Sequence, residues 1–98
     1  MTLEERLKQV EEKRDELVER LDQFPKVGLD EGDRREIVGF GTILATIGAM
    51  MKEARETCAL EEEPPPVLSE ALLGCANAMK QIDAELSHAE KEAAAAAA

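Results

Sequence analysis

The chain has no tryptophan, no tyrosine and only two phenylalanines, Phe24 and Phe40. Aromatic side chains supply much of the buried area in most cores, so a core here must be built from Leu, Ile, Val, Met and Ala. Such a core suits close-packed helices and suits strands poorly. It also argues against a rigid small-molecule pocket with aromatic walls. Histidine is nearly as scarce. The single His88 follows Cys75 on the same expected helix and lies further still from Cys58. Even the shorter separation, from Cys75 to His88, is about 20 Å of helix. A nucleophile needs its base within hydrogen-bond reach, so neither cysteine forms a dyad within one chain. A phosphate-binding loop is also lacking, and Gly39-Phe40-Gly41 has neither the third glycine nor the preceding strand of a dinucleotide site. The expectation is a non-enzymatic protein with no catalytic, cofactor or metal residues.

Basic charge is short as well. Twelve Lys and Arg stand against 22 Asp and Glu, net −10. Residues 1–36 carry 12 acidic and 8 basic residues, residues 37–60 two of each, and residues 61–98 eight acidic and two basic. This balance repels nucleic acid and anionic membranes, so neither is expected as a direct partner. It favours a basic partner, or serves solubility alone.

Cysteine occurs twice, and both Cys58 and Cys75 fall on apolar stripes of expected helices. With a hairpin turning near Glu63–Pro64, Cys58 lies level with about residue 70, an offset from Cys75 of roughly 7 Å along the helix. That fits disulfide geometry poorly. Two reduced thiols in a cytoplasmic protein are expected. The start Met1-Thr2-Leu3-Glu4-Glu5-Arg6 is charged and helical in pattern, with no sign of a secretory leader.

Against these absences stands one long uncharged run, Ile37 to Met51, fifteen residues in a chain that is 35% charged. It is shorter than the roughly 20 apolar residues that span a bilayer, and three glycines and two threonines weaken it further. Ile37, Phe40, Leu44, Ile47 and Met51 are spaced 3, 4, 3, 4, one stripe of a helix. Ile43 and Met50 widen the stripe, and Val38 lies on the opposite side. A helix apolar around most of its circumference needs cover on more than one face. A chain of this size has little else to cover it with. The expected oligomer interface is Ile37, Phe40, Gly41, Leu44, Ala45, Ile47, Gly48 and Met51. Gly41, Ala45 and Gly48 form a smooth seam there, where a neighbouring backbone comes within about 8 Å.

Three helices account for the chain. The first covers about 3–24. Thr2 with Glu5 has the capping-box form, Leu3, Leu7, Val10, Arg14, Leu17, Leu21 and Phe24 repeat in heptad spacing, and Pro25 stops it. After a connector, Pro25–Gly32, Asp30 or Asp33 caps a second helix covering about 33–60. Gly39, Gly41 and Gly48 inside it imply close approach of another helix, or a break at Gly39–Gly41. The Glu61-Glu62-Glu63-Pro64-Pro65-Pro66 connector makes helices two and three antiparallel neighbours. Pro66 suits the first position of helix three, with three Glu near its positive end. Leu68, Leu72, Cys75, Met79, Ile82, Leu86 and Ala89 carry the same heptad phase to about residue 92. Ala93–Ala98 either extend that helix or stand as placeholders for unidentified side chains, and no function rests on them. The fold class is therefore all-α: an antiparallel hairpin of helices two and three plus an N-terminal amphipathic helix. These pack as an oligomeric bundle with crossing angles of about 20°.

Glu85-Leu86-Ser87-His88 has the form of the di-iron signature of helical bundles. The expected register sets Glu85 opposite Ile43, with no carboxylate of helix two at that level, so a solvated histidine is expected. Arg14, the charge within the first stripe, either snorkels from the seam edge or fixes register against an acidic group of a partner. Arg34-Arg35 is hemmed in by Asp30, Glu31, Asp33 and Glu36 and reads as local ion pairing. Possible contacts to a foreign partner are Arg14, Leu17, Leu21 and Glu61, Glu62 and Glu63.

In composition the chain is similar to small helical anti-activators, secretion chaperones and phage-encoded inhibitors, with no motif behind the likeness. The expected function is an acidic, cytoplasmic homo-oligomer, a homodimer or higher, that binds another protein as inhibitor, anti-activator, adaptor or chaperone. The alternatives are an acidic nucleic-acid mimic and a structural subunit of a larger assembly.

Overall fold

Three helices form the structure, a computed structural model that describes residues 1–25 and 28–97: α1 (Leu3–Gln23), α2 (Glu31–Thr57) and α3 (Pro66–Ala97). Lys26 and Val27 of the Pro25–Gly32 connector, and Ala98 of the alanine tail, lie outside the described residues. The fold is all-α, with no strand among the described residues, and the helices pack into a bundle 50 Å long and about 20 Å across.

The helix starts follow from short polar side chains. Thr2 Oγ1 accepts from Glu5 N at 3.3 Å and donates to the Glu5 carboxylate at 3.1 Å. The next two orphan amides of α1, Leu3 N and Glu4 N, donate to the carbonyls of Glu62 (2.8 Å) and Leu60 (3.0 Å). The connector between α2 and α3 thus closes the start of α1, where free N–H groups need acceptors. Asp30 caps α2, its carboxylate accepting from Asp33 N at 2.8 Å, and Glu31 and Asp33 sit at the positive end of the helix. α2 runs unbroken through Gly39–Gly41. It ends at Thr57, short of residue 60, and the Leu60 carbonyl is turned onto α1 instead. α3 continues into the alanines as far as Ala97, as the strongest helix former allows.

α1 is the central element. It runs antiparallel to α2, with Arg55 against Glu4 and Glu11, and parallel to α3, with Arg6 against Ser69 and Arg20 against Glu90. α2 and α3 touch each other far less than either touches α1. The three heptad stripes converge on one core. Leu3, Leu7, Val10, Leu17, Leu21 and Phe24 come from α1 and its end, Leu44, Ile47, Met51 and Ala54 from α2, and Leu72, Cys75, Met79, Ile82 and Leu86 from α3.

The early end of α2 shifts the register from that expected. Glu36 lies beside Glu85, and Ile47 shares a groove with Cys75. Ile43, expected opposite Glu85, lies about two helical turns from that level. Both cysteines are free thiols, Cys75 buried and Cys58 half-buried.

Leu17 and Leu44 are fully enclosed, 0% exposed. Leu17→Ala is expected to cost about 2–5 kcal/mol through lost burial and a residual cavity. Leu44→Asp is expected to unfold the chain, because a carboxylate there has no partner and no water. Thermal melts followed by circular dichroism check both; unchanged melting temperatures would contradict this core.

Candidate functional site

The candidate site is a surface of α2. Its large stripe residues Leu44, Ile47 and Met51 are buried inside the chain, and Ile37 and Phe40 are half-buried against the same core. Of the residues expected at an oligomer interface, therefore, the large ones already have cover from α1 and α3. Gly41 and Ala45 are exposed, and Gly48 is half-buried beneath Arg14. What α2 turns outward is its other side: Val38, 68% exposed, with Thr42, Ala45, Thr46, Ala49, Ile43 and Met50.

That outer side has no charge between Ile37 and Met51, and its hydroxyls are occupied. Thr42 Oγ1 donates to the Val38 carbonyl at 3.1 Å, and Thr46 Oγ1 to the Thr42 carbonyl at 2.9 Å. A threonine bonded back to its own helix no longer needs water for its donor and leaves its methyl group outward. The surface is therefore more apolar than its composition suggests. Two concavities flank it. Toward α3 a shallow groove of about 350 Å³ lies between Ile43, Thr46, Met50, Ala71, Gly74 and Ala78. Toward α1 a cleft of about 600 Å³ is walled by Val18, Leu21, Leu29, Ile37 and Val38, with Arg14, Asp22 and Arg34 at its edges.

Arg14 at the edge of that cleft is held in place. Its Nε donates to the Leu44 carbonyl at 3.1 Å and its Nη1 to Asp15 at 3.0 Å. The guanidinium lies flat on Gly48, where an added Cβ would stand 3.1 Å from Cζ. One glycine of the three is thus explained, by a side chain of the neighbouring α1 rather than by its backbone. Gly39 and Gly41 have open space where a Cβ would go.

The flanks of α1 carry opposite charge, a pattern that the apolar stripes alone do not reveal. Glu4 and Glu11, one heptad apart, take Arg55 of α2, with Arg55 Nε 2.8 Å from Glu11. Lys13 and Arg20, also one heptad apart, take α3. Lys13 Nζ is 2.7 Å from Asp83, and Arg20 bonds Asp83 at 2.7 Å, Ser87 at 3.0 Å and Glu90 at 2.6 Å. The signal for it lies in the charges at heptad flanking positions. These pairs hold Asp83 well below the usual carboxylate range, at about 2, through hydrogen bonds from Lys13 and Arg20. Glu11 is lowered by Arg55. Glu36 is pushed up instead, by loss of water and by Glu85 beside it.

The remaining expected site residues are scattered. Leu17 and Leu21 lie inside the core. Glu61, Glu62 and Glu63 are exposed, on the connector whose carbonyls cap α1. His88 is exposed and pairs with Glu92 at 3.1 Å, not with Glu85. Contrary to the expected register, a carboxylate of α2, Glu36, does reach Glu85. Among the described residues no three His, Cys, Asp or Glu side chains converge to hold a metal ion. By length and composition α2 is also able to cross a bilayer, and 22% of its most apolar window is buried. Insertion would pull Leu44, Ile47 and Met51 out of the core. No family model, no curated protein and no solved structure matches the chain.

The charges and the glycines each give a test. Asp83 has a lowered folded pKa, so its contribution is complete above its unfolded value of about 4 and is lost as pH falls toward about 2. Glu11 acts in the same direction, and Glu36, raised in the fold, opposes them. Melting temperature is expected to fall between about pH 5 and pH 2. Asp83→Asn should cost about 1 kcal/mol at neutral pH and flatten that fall; curves that stay parallel would show the pairing carries no stability. Separately, Gly39→Ala should stabilise by about 1 kcal/mol. Gly48→Ala should gain less, because the Arg14 guanidinium must move. Denaturant titrations of the two variants measure the difference.

Proposed function

We propose that the chain is a small, acidic, non-enzymatic protein-binding protein. It associates with itself and acts on another protein as inhibitor, anti-activator, adaptor or chaperone. The observation carrying this reading is the outer side of α2: an uncharged helix face with Val38, Ile43 and Met50 exposed, in a chain with net charge −10. Contiguous exposed apolar surface on a highly charged small protein marks an interaction site more often than it marks nothing. The hydroxyl pairing of Thr42 and Thr46 favours a dry contact there.

The hairpin of α2 and α3, and its closure into an oligomeric bundle, belong to the same proposal. The shallow α2–α3 groove is where a further helix completes such a bundle. The acid-rich segments 1–36 and 61–98 then stay outward, where they suit a basic protein surface. Free thiols at Cys58 and Cys75 agree with a reducing, cytoplasmic setting.

Multi-angle light scattering at about 1–100 µM (a range that brackets association of moderate strength) should give a mass above one chain for the wild type. Val38→Asp should give a folded monomer, since Val38 is exposed and its loss leaves the core intact. Affinity capture from the native cell should retain a foreign protein on the wild type. A wild type that stays monomeric and folded throughout, and retains nothing, would refute the proposal.

A further inference from the structure

The outer side of α2 has charge only at its ends. Glu31, Arg34 and Arg35 stand exposed before Ile37, and Glu53 and Glu56 stand exposed after Met51, with Lys52 to one side. Arg35 and Glu53 are separated by five full helical turns, at about 3.6 residues per turn, so they lie on one line along the helix. Thr42 and Thr46 lie close to that line, midway between them. On that line, a cation at one end and an anion at the other match each other when the face is turned end for end.

Resting on the reading of this surface as one for self-association, we infer that two copies pair through the outer faces of α2 in antiparallel orientation, about a two-fold axis level with Leu44. Arg35 of each copy then meets Glu53 of the other, Glu31 comes beside Glu56 of the other as an opposing contact, and Thr42 meets Thr46 of the other copy. The parallel arrangement sets Arg35 on Arg35 and Glu53 on Glu53, and like charges held together across an interface are strongly disfavoured. Two-fold pairing of identical patches is also the commonest way for a chain to associate with itself.

The small side chains of the middle let the two helices approach closely, to about 8 Å, the lower end of interaxial distances. Gly39 has no neighbour within the chain where a Cβ would stand, so it presents backbone to the incoming copy. Ile43 and Met50 stand over the groove toward α3 and Val38 over the cleft toward α1, which widens the strip on both sides. The intrahelical pair of Arg35 with Glu31, 2.9 Å long and highly exposed, is a weak competitor. Exposed pairs of this kind contribute little.

The test combines orientation with charge. Thr42→Cys and Val38→Cys, both at exposed positions, are treated with a bis-maleimide spanning about 8 Å, the rise of a turn and a half of helix. The linked peptides are identified by mass spectrometry so that the native thiols are told apart. In the antiparallel pair two copies of position 42 are about 6 Å apart along the axis, and two copies of position 38 about 18 Å. Thr42→Cys should link to itself and Val38→Cys should not. Arg35→Glu should weaken association about tenfold or more by light scattering, and Arg35→Glu combined with Glu53→Arg should restore it. If Val38→Cys links as readily as Thr42→Cys, or Arg35→Glu is silent in a protein that still associates, the antiparallel arrangement is wrong and self-association stands. A wild-type monomer overturns both. A monomer that sediments with phosphatidylcholine vesicles overturns both in favour of a membrane surface for α2.

Discussion

The position of α1 between the other two helices is the constraint on which the rest depends. It alone makes extensive contact with both neighbours, and its stripe of Leu3, Leu7, Val10, Leu17 and Leu21 forms the middle of the core. Hydrophobic burial along that stripe is non-directional. It does not decide which neighbour lies on which side. The flanking charges do. The acidic flank of Glu4 and Glu11 accepts Arg55, and the basic flank of Lys13 and Arg20 accepts Asp83 and Glu90. Exchanging α2 and α3 would take Arg55 away from Glu4 and Glu11 and bring it to the flank of Arg6 and Lys13, and would take Asp83 and Glu90 away from Lys13 and Arg20. Partly exposed pairs add little to stability one by one. Here they act by making the mirror arrangement worse, which is the contribution of flanking charges in coiled coils.

A central α1 also fixes what is left uncovered. Three helices of one chain surround a single seam, so each buries one stripe and no more. For α1 that suffices, because everything outside its stripe is highly charged. For α2 it does not. Leu44, Ile47, Met51 and Ala54 point inward, and the residues between them emerge on the far side as Val38, Thr42, Ala45, Thr46 and Ala49, with no charge among them. A helix suited only to a soluble three-helix bundle would carry Lys and Glu there. The surplus apolar surface is thus a property of pattern and topology together. The pattern removes charge from the whole circumference, and the topology covers half of it.

Much of this was legible in the sequence. The heptad stripes of all three helices name the buried residues almost one for one, because burial of a helix face is a local periodicity. The cap at Thr2 was legible for the same reason, and that of α2 was narrowed to Asp30 or Asp33, both short polar side chains before an apolar run. What depended on distant parts of the chain was not. Leu60 looks like a continuation of α2, yet α2 ends at Thr57 and the Leu60 carbonyl accepts from Glu4 N instead; with this earlier end Glu36 comes level with Glu85. Of the wide stripe, Leu44, Ile47 and Met51 are covered by α1 and α3, while Ile43 and Met50 at its margin stay exposed. Gly39, Gly41 and Gly48 looked alike, and of these only Gly48 meets anything within 4 Å. No spacing rule distinguishes a glycine under an arginine from a glycine under nothing.

The acidity of the chain and its inferred self-association are reconciled by where the charge lies. Two molecules of net charge −10 repel at a distance, and any approach through α1 or the 61–98 segment sets acid against acid. Residues 37–60 carry two acids and two bases, so a contact centred on α2 is the approach with the least repulsion. Screening in physiological salt acts within about 8 Å, which separates this contact from the acidic surfaces on the far side of the bundle. In that contact the α2 faces of the two copies match with Arg35 opposite Glu53. The acidic surfaces, turned outward by that pairing, are then presented twice, once by each copy. A basic partner would meet them at two places on one assembly, and the second contact would form at the raised effective concentration that linkage provides.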